Sequence, residues 1–290
     1  MRGERKPIGV ARTQITLGNG SNDVLELAAR TFVAPGDEVV FSAHAFAVYP
    51  IVTQAVGGKA VVVPAKNWGY DLDAISAAVT TRTKLIFIAN PNNPTGTWLT
   101  RSALAAFLRD LPSLVIVVLD EAYFEYVTEA EYPDGIQWLA QFPNLIVART
   151  FSKIYGLAGL RIGYGVSSAG IAELFNRVRQ PFNVNSLAQA AAVAALDDHA
   201  HVAHSRETNT AGLRQLADGF RARHLEFIPS VANFISVRVG AAAQIYERLL
   251  RQGVIVRPVA NYDMPEYLRV TVGRAAENTR FLAALDQARG

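Results

Sequence analysis

Leu114-Val115-Ile116-Val117-Val118-Leu119-Asp120-Glu121-Ala122-Tyr123 runs through six apolar residues, most of them β-branched, straight into two carboxylates. A strand that is apolar at every position is buried on both faces, and such strands belong to parallel sheets covered by helices on each side. Four more runs share the pattern, at residues 38–41, 60–63, 85–88 and 145–148, and longer amphipathic stretches such as 23–32 and 100–108 lie between them. This alternation, from about residue 16 to 165, predicts a three-layer α/β domain with a mostly parallel central sheet. After residue 165 the pattern changes. Residues 169–178 and 186–196 read as helices, 205–223 as a long one with a polar face, and 233–239, 254–256 and 268–272 as strands of a smaller α/β unit. The boundary falls near residues 181–186. It divides the chain into a large unit, 1–183, and an interdomain helix with a small C-terminal domain, 184–290.

Bulk properties narrow the function. Half of the 290 residues are hydrophobic and 18% are charged, which is ample for a packed core and excludes a disordered chain. The net charge is only +3 and the basic residues do not cluster, so no nucleic-acid partner is expected. The absence of cysteine rules out a disulfide framework, a thiolate metal site and a cysteine nucleophile. No apolar run approaches the ~18 residues of a spanning helix, and Met1-Arg2-Gly3-Glu4-Arg5-Lys6-Pro7 has no apolar stretch behind its charges as a secretory signal would. The expectation is a cytoplasmic protein with no membrane association. Asp197, Asp198, His199, His201 and His204 form the chain's one histidine cluster; they read as a polar helix end, and no metal is expected there.

Four short segments fall at the ends of expected strands, where open parallel sheets bind ligands. Leu17-Gly18-Asn19-Gly20-Ser21-Asn22-Asp23 is a glycine-rich turn opening a helix, a place where backbone N–H groups and the helix dipole favour a phosphate; a helix capped by Ser21 or Asn22 would read the same. Asn90-Pro91-Asn92-Asn93-Pro94-Thr95-Gly96 is a rigid turn carrying adjacent amides, and a purely structural turn is the competing reading. Asp120 ends the most apolar strand. A carboxylate there needs a cation or a proton donor, unless it merely caps a helix. Finally, Arg149-Thr150-Phe151-Ser152-Lys153 precedes Gly156-Leu157-Ala158-Gly159-Leu160-Arg161-Ile162-Gly163. Of five lysines, only Lys153 follows a buried strand among hydroxyls and glycines, with an arginine eight residues on. Such an amine can form a Schiff base with an aldehyde if its neighbours lower its pKa; a surface lysine in a turn is the alternative.

Taken in order, Asn-Pro-Asn-Asn-Pro-Thr-Gly, Asp-Glu-Ala-Tyr and Thr-Phe-Ser-Lys with Gly-Leu-Ala-Gly-Leu-Arg-Ile-Gly-Tyr resemble the fold-type I (aspartate-aminotransferase-like) pyridoxal-phosphate-dependent aminotransferases, most of all the histidinol-phosphate branch. The resemblance runs from about residue 16 to the C-terminus. It implies pyridoxal 5′-phosphate as cofactor, a homodimer, and a ping-pong exchange of an amino group between L-histidinol phosphate and 2-oxoglutarate. Lys153 would carry the cofactor and shuttle the proton; Asp120 would pair with the pyridine nitrogen; Asn93 and Tyr123 would bond its phenolic oxygen. Ser152, Arg161, the turn at Gly20, Ser21 and Asn22, and Thr150 would hold the phosphate, and Phe46 would stack on the ring in preference to Tyr49. Arg269 matches the arginine that grips the substrate α-carboxylate, and Arg257 a neighbour serving the substrate phosphate or the glutamate carboxylate.

An aromatic or broad-range aminotransferase, or a decarboxylase of a phosphorylated substrate, would use nearly the same motifs. Relatives in this resemblance carry several dozen residues ahead of the glycine-rich turn, including an arm with a tyrosine that reaches the partner subunit's phosphate. About 17 residues precede Gly18 here. Weakened substrate binding is therefore expected, with a cofactor-binding protein of little turnover as the alternative.

Overall fold

The computed structural model describes residues 9–290. Seven strands form the first sheet: β1 (Ile15–Gly18), β2 (Glu38–Ser42), β3 (Lys59–Val63), β4 (Thr83–Ala89), β5 (Ile116–Asp120), β6 (Leu145–Thr150) and β7 (Gly163–Val166), in spatial order 1-7-6-5-4-2-3. From β3 to β6 every pairing is parallel, while β7 and β1 add on antiparallel. As the apolar runs required, β2, β5 and β6 are buried at every position. Helices α1 (Ser21–Phe32), α2 (Val48–Ala55), α3 (Leu72–Ala77), α4 (Arg101–Asp110) and α5 (Ala169–Val178) supply the connections. Then come α6 (Ser186–Asp197) and the long α7 (His199–Ala222). A second sheet, wholly antiparallel, contains β8 (Phe227–Ile228), β9 (Phe234–Arg238), β10 (Arg257–Pro258) and β11 (Tyr267–Thr271) in the order 10-11-9-8, with α8 (Ala242–Arg251) and α9 (Ala275–Arg289) packed on it. No helix among the described residues is long and apolar enough to cross a membrane.

Several elements depart from the sequence reading. The run at 60–63, read as buried on both faces, forms the edge strand β3, where Val62 is 55% exposed because no further strand or helix among the described residues covers it. The strand expected at 254–256 is instead irregular, and pairing begins only at Arg257; Ile255 is 81% exposed, so the apolar alternation there packs nothing. Proline at the next position is tolerated because β10 is an edge strand. Leu114, expected to open β5, sits in a turn and is exposed. The long helix starts six residues earlier than its apolar face suggested, since the Asp198 side chain accepts from the His201 N–H and caps it, which turns the histidine cluster into the first turns of α7.

The glycine-rich β7 was unread as a strand and shows why glycine is there. A Cβ at Gly163 would collide with the Ser21 N–H and the Gly20 carbonyl carbon, and one at Gly165 would lie 2.8 Å from Val24. Only bare backbone lets α1 cross β7 closely enough to bring its N-terminus beside the ends of β5 and β6.

Candidate active site

β4, β5 and β6 end together, and the loops beyond them close a cleft lined by Ser21, Asn22, Phe46, Ala89, Pro91, Asn93, Asp120, Ala122, Tyr123 and Lys153. Seven of these were singled out from the sequence. The cleft is set in a rigid frame. Directly after Asp120 the chain turns the next carboxylate, Glu121, to the other side, where it accepts from Arg149 Nη2 at 2.6 Å, Arg149 Nε at 2.9 Å and the Gly135 N–H at 2.9 Å. Arg149 also reaches Asp134 at 2.6 Å and lies 3.5 Å from the centre of the Phe124 ring. This cluster is buried and ties the end of β5 to the end of β6. Because a half-broken buried pair leaves an uncompensated charge, Arg149→Ala is expected to cost about 3–5 kcal/mol of stability. Urea unfolding measures it, and a loss below about 1 kcal/mol would show that water already solvates Glu121.

Within the cleft, Asp120 is buried and its carboxyl is pushed up to about 6, foremost by loss of hydration. The Tyr49 hydroxyl donates to Oδ2 at 3.1 Å, the Ala122 N–H donates to Oδ1 at 3.2 Å, and the Lys153 ammonium pulls the same way as these two bonds, downward. Lys153 follows from β6 through the Phe151-Ser152 turn and places Nζ 5.2 Å from the centre of the Tyr123 ring. Burial lowers its pKa, and the Arg269 guanidinium lowers it further. Both influences act in the direction of the neutral, nucleophilic amine. Tyr123, edge-on to Phe234, is buried, and its phenol is pushed upward by desolvation, which Arg269 opposes.

The phosphate-type cradle lies at one end. Gly20 takes φ +82° and leaves α1 without a side-chain cap, so neither Ser21 nor Asn22 serves as the capping residue. A Cβ at Gly20 would stand 2.5 Å from Arg161 Nη2. Arg161, exposed and in the left-handed conformation, donates to Ser152 Oγ at 3.4 Å and to the Ala158 carbonyl at 3.0 Å. A helix start, a guanidinium and a hydroxyl converge there, the donor set an anion asks for. Thr150 is placed differently: it is buried beneath the turn, its hydroxyl accepting from the Ser152 N–H at 3.1 Å, and it does not line the cleft.

At the other end, Arg269 on β11 donates through Nη1 to Asn93 Oδ1 and lies 5.0 Å from the centre of the Phe234 ring, while its Nε is buried with no partner. Arg257 is its direct cross-strand neighbour in the β10–β11 register and is exposed. Tyr49 is the residue whose place the sequence reading missed. It was weighed as a ring-stacking partner, but the structure buries it completely beneath Phe46, edge-on at 5.9 Å, with its hydroxyl on Asp120. No helical spacing could have signalled this, because Phe46 lies ahead of α2 and only Tyr49 is within it.

The chain matches the family described as aminotransferase class I and II over residues 4–285. It is 63% identical over 278 residues to histidinol-phosphate aminotransferase 2 of Pseudomonas fluorescens, covering 96% of this chain and 75% of that protein. Identity to histidinol-phosphate aminotransferase 1 of Nitrosococcus oceani is 57% over 280 residues, 96% of this chain and 76% of the relative. Among solved structures, the histidinol-phosphate aminotransferase of Sinorhizobium meliloti in complex with pyridoxal-5′-phosphate superposes with a TM-score of 0.91 at 33% identity, over 97% of this chain and 78% of the other.

Proposed function

The chain belongs to the family of class I and II aminotransferases, and from that footing we propose that it moves an amino group between L-histidinol phosphate and 2-oxoglutarate in histidine biosynthesis. It is a pyridoxal-5′-phosphate-dependent transaminase. The residues fit the cofactor: a lysine with a lowered pKa, a buried carboxylate, an uncapped helix start beside an arginine, and an aromatic ring on one wall. When bound, the cofactor supplies an aldehyde for the amino group and a ring that withdraws electrons from the substrate's α-carbon.

In this reading the helix start at Gly20, Ser21 and Asn22, with Ser152 and Arg161, binds the cofactor phosphate, and Thr150 supports the Ser152 turn from below. Asp120 would accept from the protonated pyridine nitrogen, Asn93 and Tyr123 would donate to the phenolic oxygen, and Phe46 would cover the ring. Lys153 would hold the cofactor through Nζ and, when released from it, would act as the general base and acid of the reaction, taking the proton from the substrate α-carbon. Arg269 and Arg257 bind the acidic ends of the substrates.

The observation that carries the substrate assignment is the cross-strand pair Arg257 and Arg269. Two guanidinium groups side by side suit a phosphate monoester in one half-reaction and a dicarboxylate in the other. A charge-assisted bond contributes about 1.5–3 kcal/mol, so removing one arginine should cost roughly tenfold to a hundredfold in kcat/KM. Arg257→Ala is expected to weaken histidinol phosphate more than phenylalanine, and Arg269→Ala to weaken every donor and glutamate alike. Measuring kcat/KM for both variants with the three substrates checks this; equal losses for all donors in Arg257→Ala would turn the assignment towards a broad-range aminotransferase.

The proposal includes division of the chain into a cofactor domain, residues 1–183, and a smaller unit, 184–290, and a homodimer acting in the cytoplasm. The dimer is supported by the exposed apolar side chains of Phe182, Leu187 and Val193, beside a groove of about 960 Å3 between residues 12–17 and 179–184.

A further inference from the structure

We propose that Tyr49 is a positioning residue of the reaction, its hydroxyl holding Asp120 in the orientation and the ionised form that the cofactor's pyridine nitrogen requires. The inference rests on the reading that Asp120 faces that nitrogen. It begins with the ring. Tyr49 is completely buried near the start of α2, stacked on Phe87 with centroids 4.6 Å apart and planes 2° from parallel, tilted against Phe41 and edge-on to Phe46. Its backbone carbonyl accepts from Thr53 Oγ1 at 2.7 Å. A ring clamped on three sides leaves its hydroxyl one direction, and in that direction lies Asp120 Oδ2 at 3.1 Å.

A phenol donating to a carboxylate stabilises the charged form and fixes which oxygen is engaged. The other charged and titratable groups around Asp120 do not substitute for it. Tyr70 is spoken for, its hydroxyl accepting from the Ala89 N–H at 2.9 Å, and Tyr132 donates to the Asn90 carbonyl. Tyr123 and Lys153 line the same cleft, where the cofactor would engage both. Burial meanwhile pushes Asp120 towards its neutral form, and the Tyr49 bond is the largest influence acting against it. A neutral carboxyl would lack the charge that stabilises a protonated pyridine. The tyrosine that supports Phe46 from below therefore also keeps the ring's acidic partner charged.

Tyr49→Phe keeps the stacked ring and removes only the donor. In the cofactor-free protein, infrared titration of the protonated-carboxyl band assigned to Asp120 by its loss in Asp120→Asn should move its midpoint upward by about one pH unit, a tenfold change in proton affinity. Binding of pyridoxamine 5′-phosphate, followed by fluorescence, should then weaken roughly fivefold at pH 6 and scarcely at all by pH 8, because only the protonated fraction is lost to binding. A packing defect would weaken it equally at every pH. In an Asp120→Asn background the Tyr49 substitution should have no further effect. An unmoved midpoint, or a pH-independent loss of affinity, overturns the role of Tyr49 while leaving Asp120 where it is. If Asp120→Asn alone changes neither affinity nor turnover, the failure lies in the reading of Asp120 itself.

Discussion

Lys153→Ala yields a folded protein that no longer holds pyridoxal 5′-phosphate covalently and whose kcat falls by at least roughly a hundredfold to ten-thousandfold, the range a lost proton-transfer group alone accounts for. Folding should survive because Lys153 is only half-buried and sits among other cations; Arg269 and Arg161 both act to lower its pKa, so its charge is a burden on the apo structure. Function does not survive, because among the described residues no other lysine lines the cleft. Lys59 lies at the start of β3, 3.5 Å from Glu38, Lys84 donates to the Thr81 carbonyl, and Lys66 is exposed beyond β3. Borohydride reduction of the loaded wild type followed by peptide mapping should label Lys153, and the alanine variant should take up no label. Labelling of a different lysine in the wild type would remove Lys153 from its role.

How much of this could be read from the chain depends on the distance over which each feature is determined. β5 and its terminal Asp120 are written locally: four apolar strand residues need two covered faces, and a carboxylate at the end of such a strand needs a partner. The Lys153 turn and the Asn93 turn are local for the same reason, since prolines and glycines set their backbone. What stayed hidden is contact between distant segments. Tyr49 and Asp120 are 71 residues apart in sequence, and nothing in Tyr49-Pro50-Ile51 tells that a hydroxyl will meet a carboxylate. Arg149, quoted only as the residue before Thr150, proved to be the cation that Glu121 requires, again through a pairing that the β5–β6 register creates.

Opposite errors came from trusting apolar pattern where burial was absent. Residues 254–256 alternate like a strand, yet Ile255 faces solvent and the pairing that exists belongs to Arg257 and Pro258. β7 failed in the other sense. Its glycines weaken the strand signal, although they are what allows α1 to approach β7 so closely. Close approach lowered the local strand propensity there, and one of these glycines, Gly163, belongs to the motif that carried the family resemblance.

Asp120→Asn is expected to separate stability from activity. An amide cannot hold a proton on the pyridine nitrogen, so the ring loses its electron-withdrawing charge and kcat should fall by roughly a thousandfold or more. Stability should move the other way. A carboxyl whose proton is held more tightly in the folded chain than in the unfolded one supports folding at low pH and loses that support as pH rises through its folded value. For Asp120 the ordinary value is 3.8 and the folded value about 6, so the loss runs across that interval. Above it the buried charge costs the cofactor-free protein about 3 kcal/mol. Asparagine is uncharged throughout and can still accept from Tyr49 and the Ala122 N–H through its carbonyl oxygen. The cofactor-free variant should therefore gain stability relative to wild type by up to about 3 kcal/mol as pH climbs from 4 to 7, while the wild type should recover its deficit only when cofactor binds. Urea unfolding at pH 4, 6 and 8, with and without pyridoxal 5′-phosphate, measures the crossover. A variant less stable than wild type at pH 8 would mean that the carboxylate is retained to cap the Ala122 turn, and near-native turnover would mean that the pyridine nitrogen does not face it.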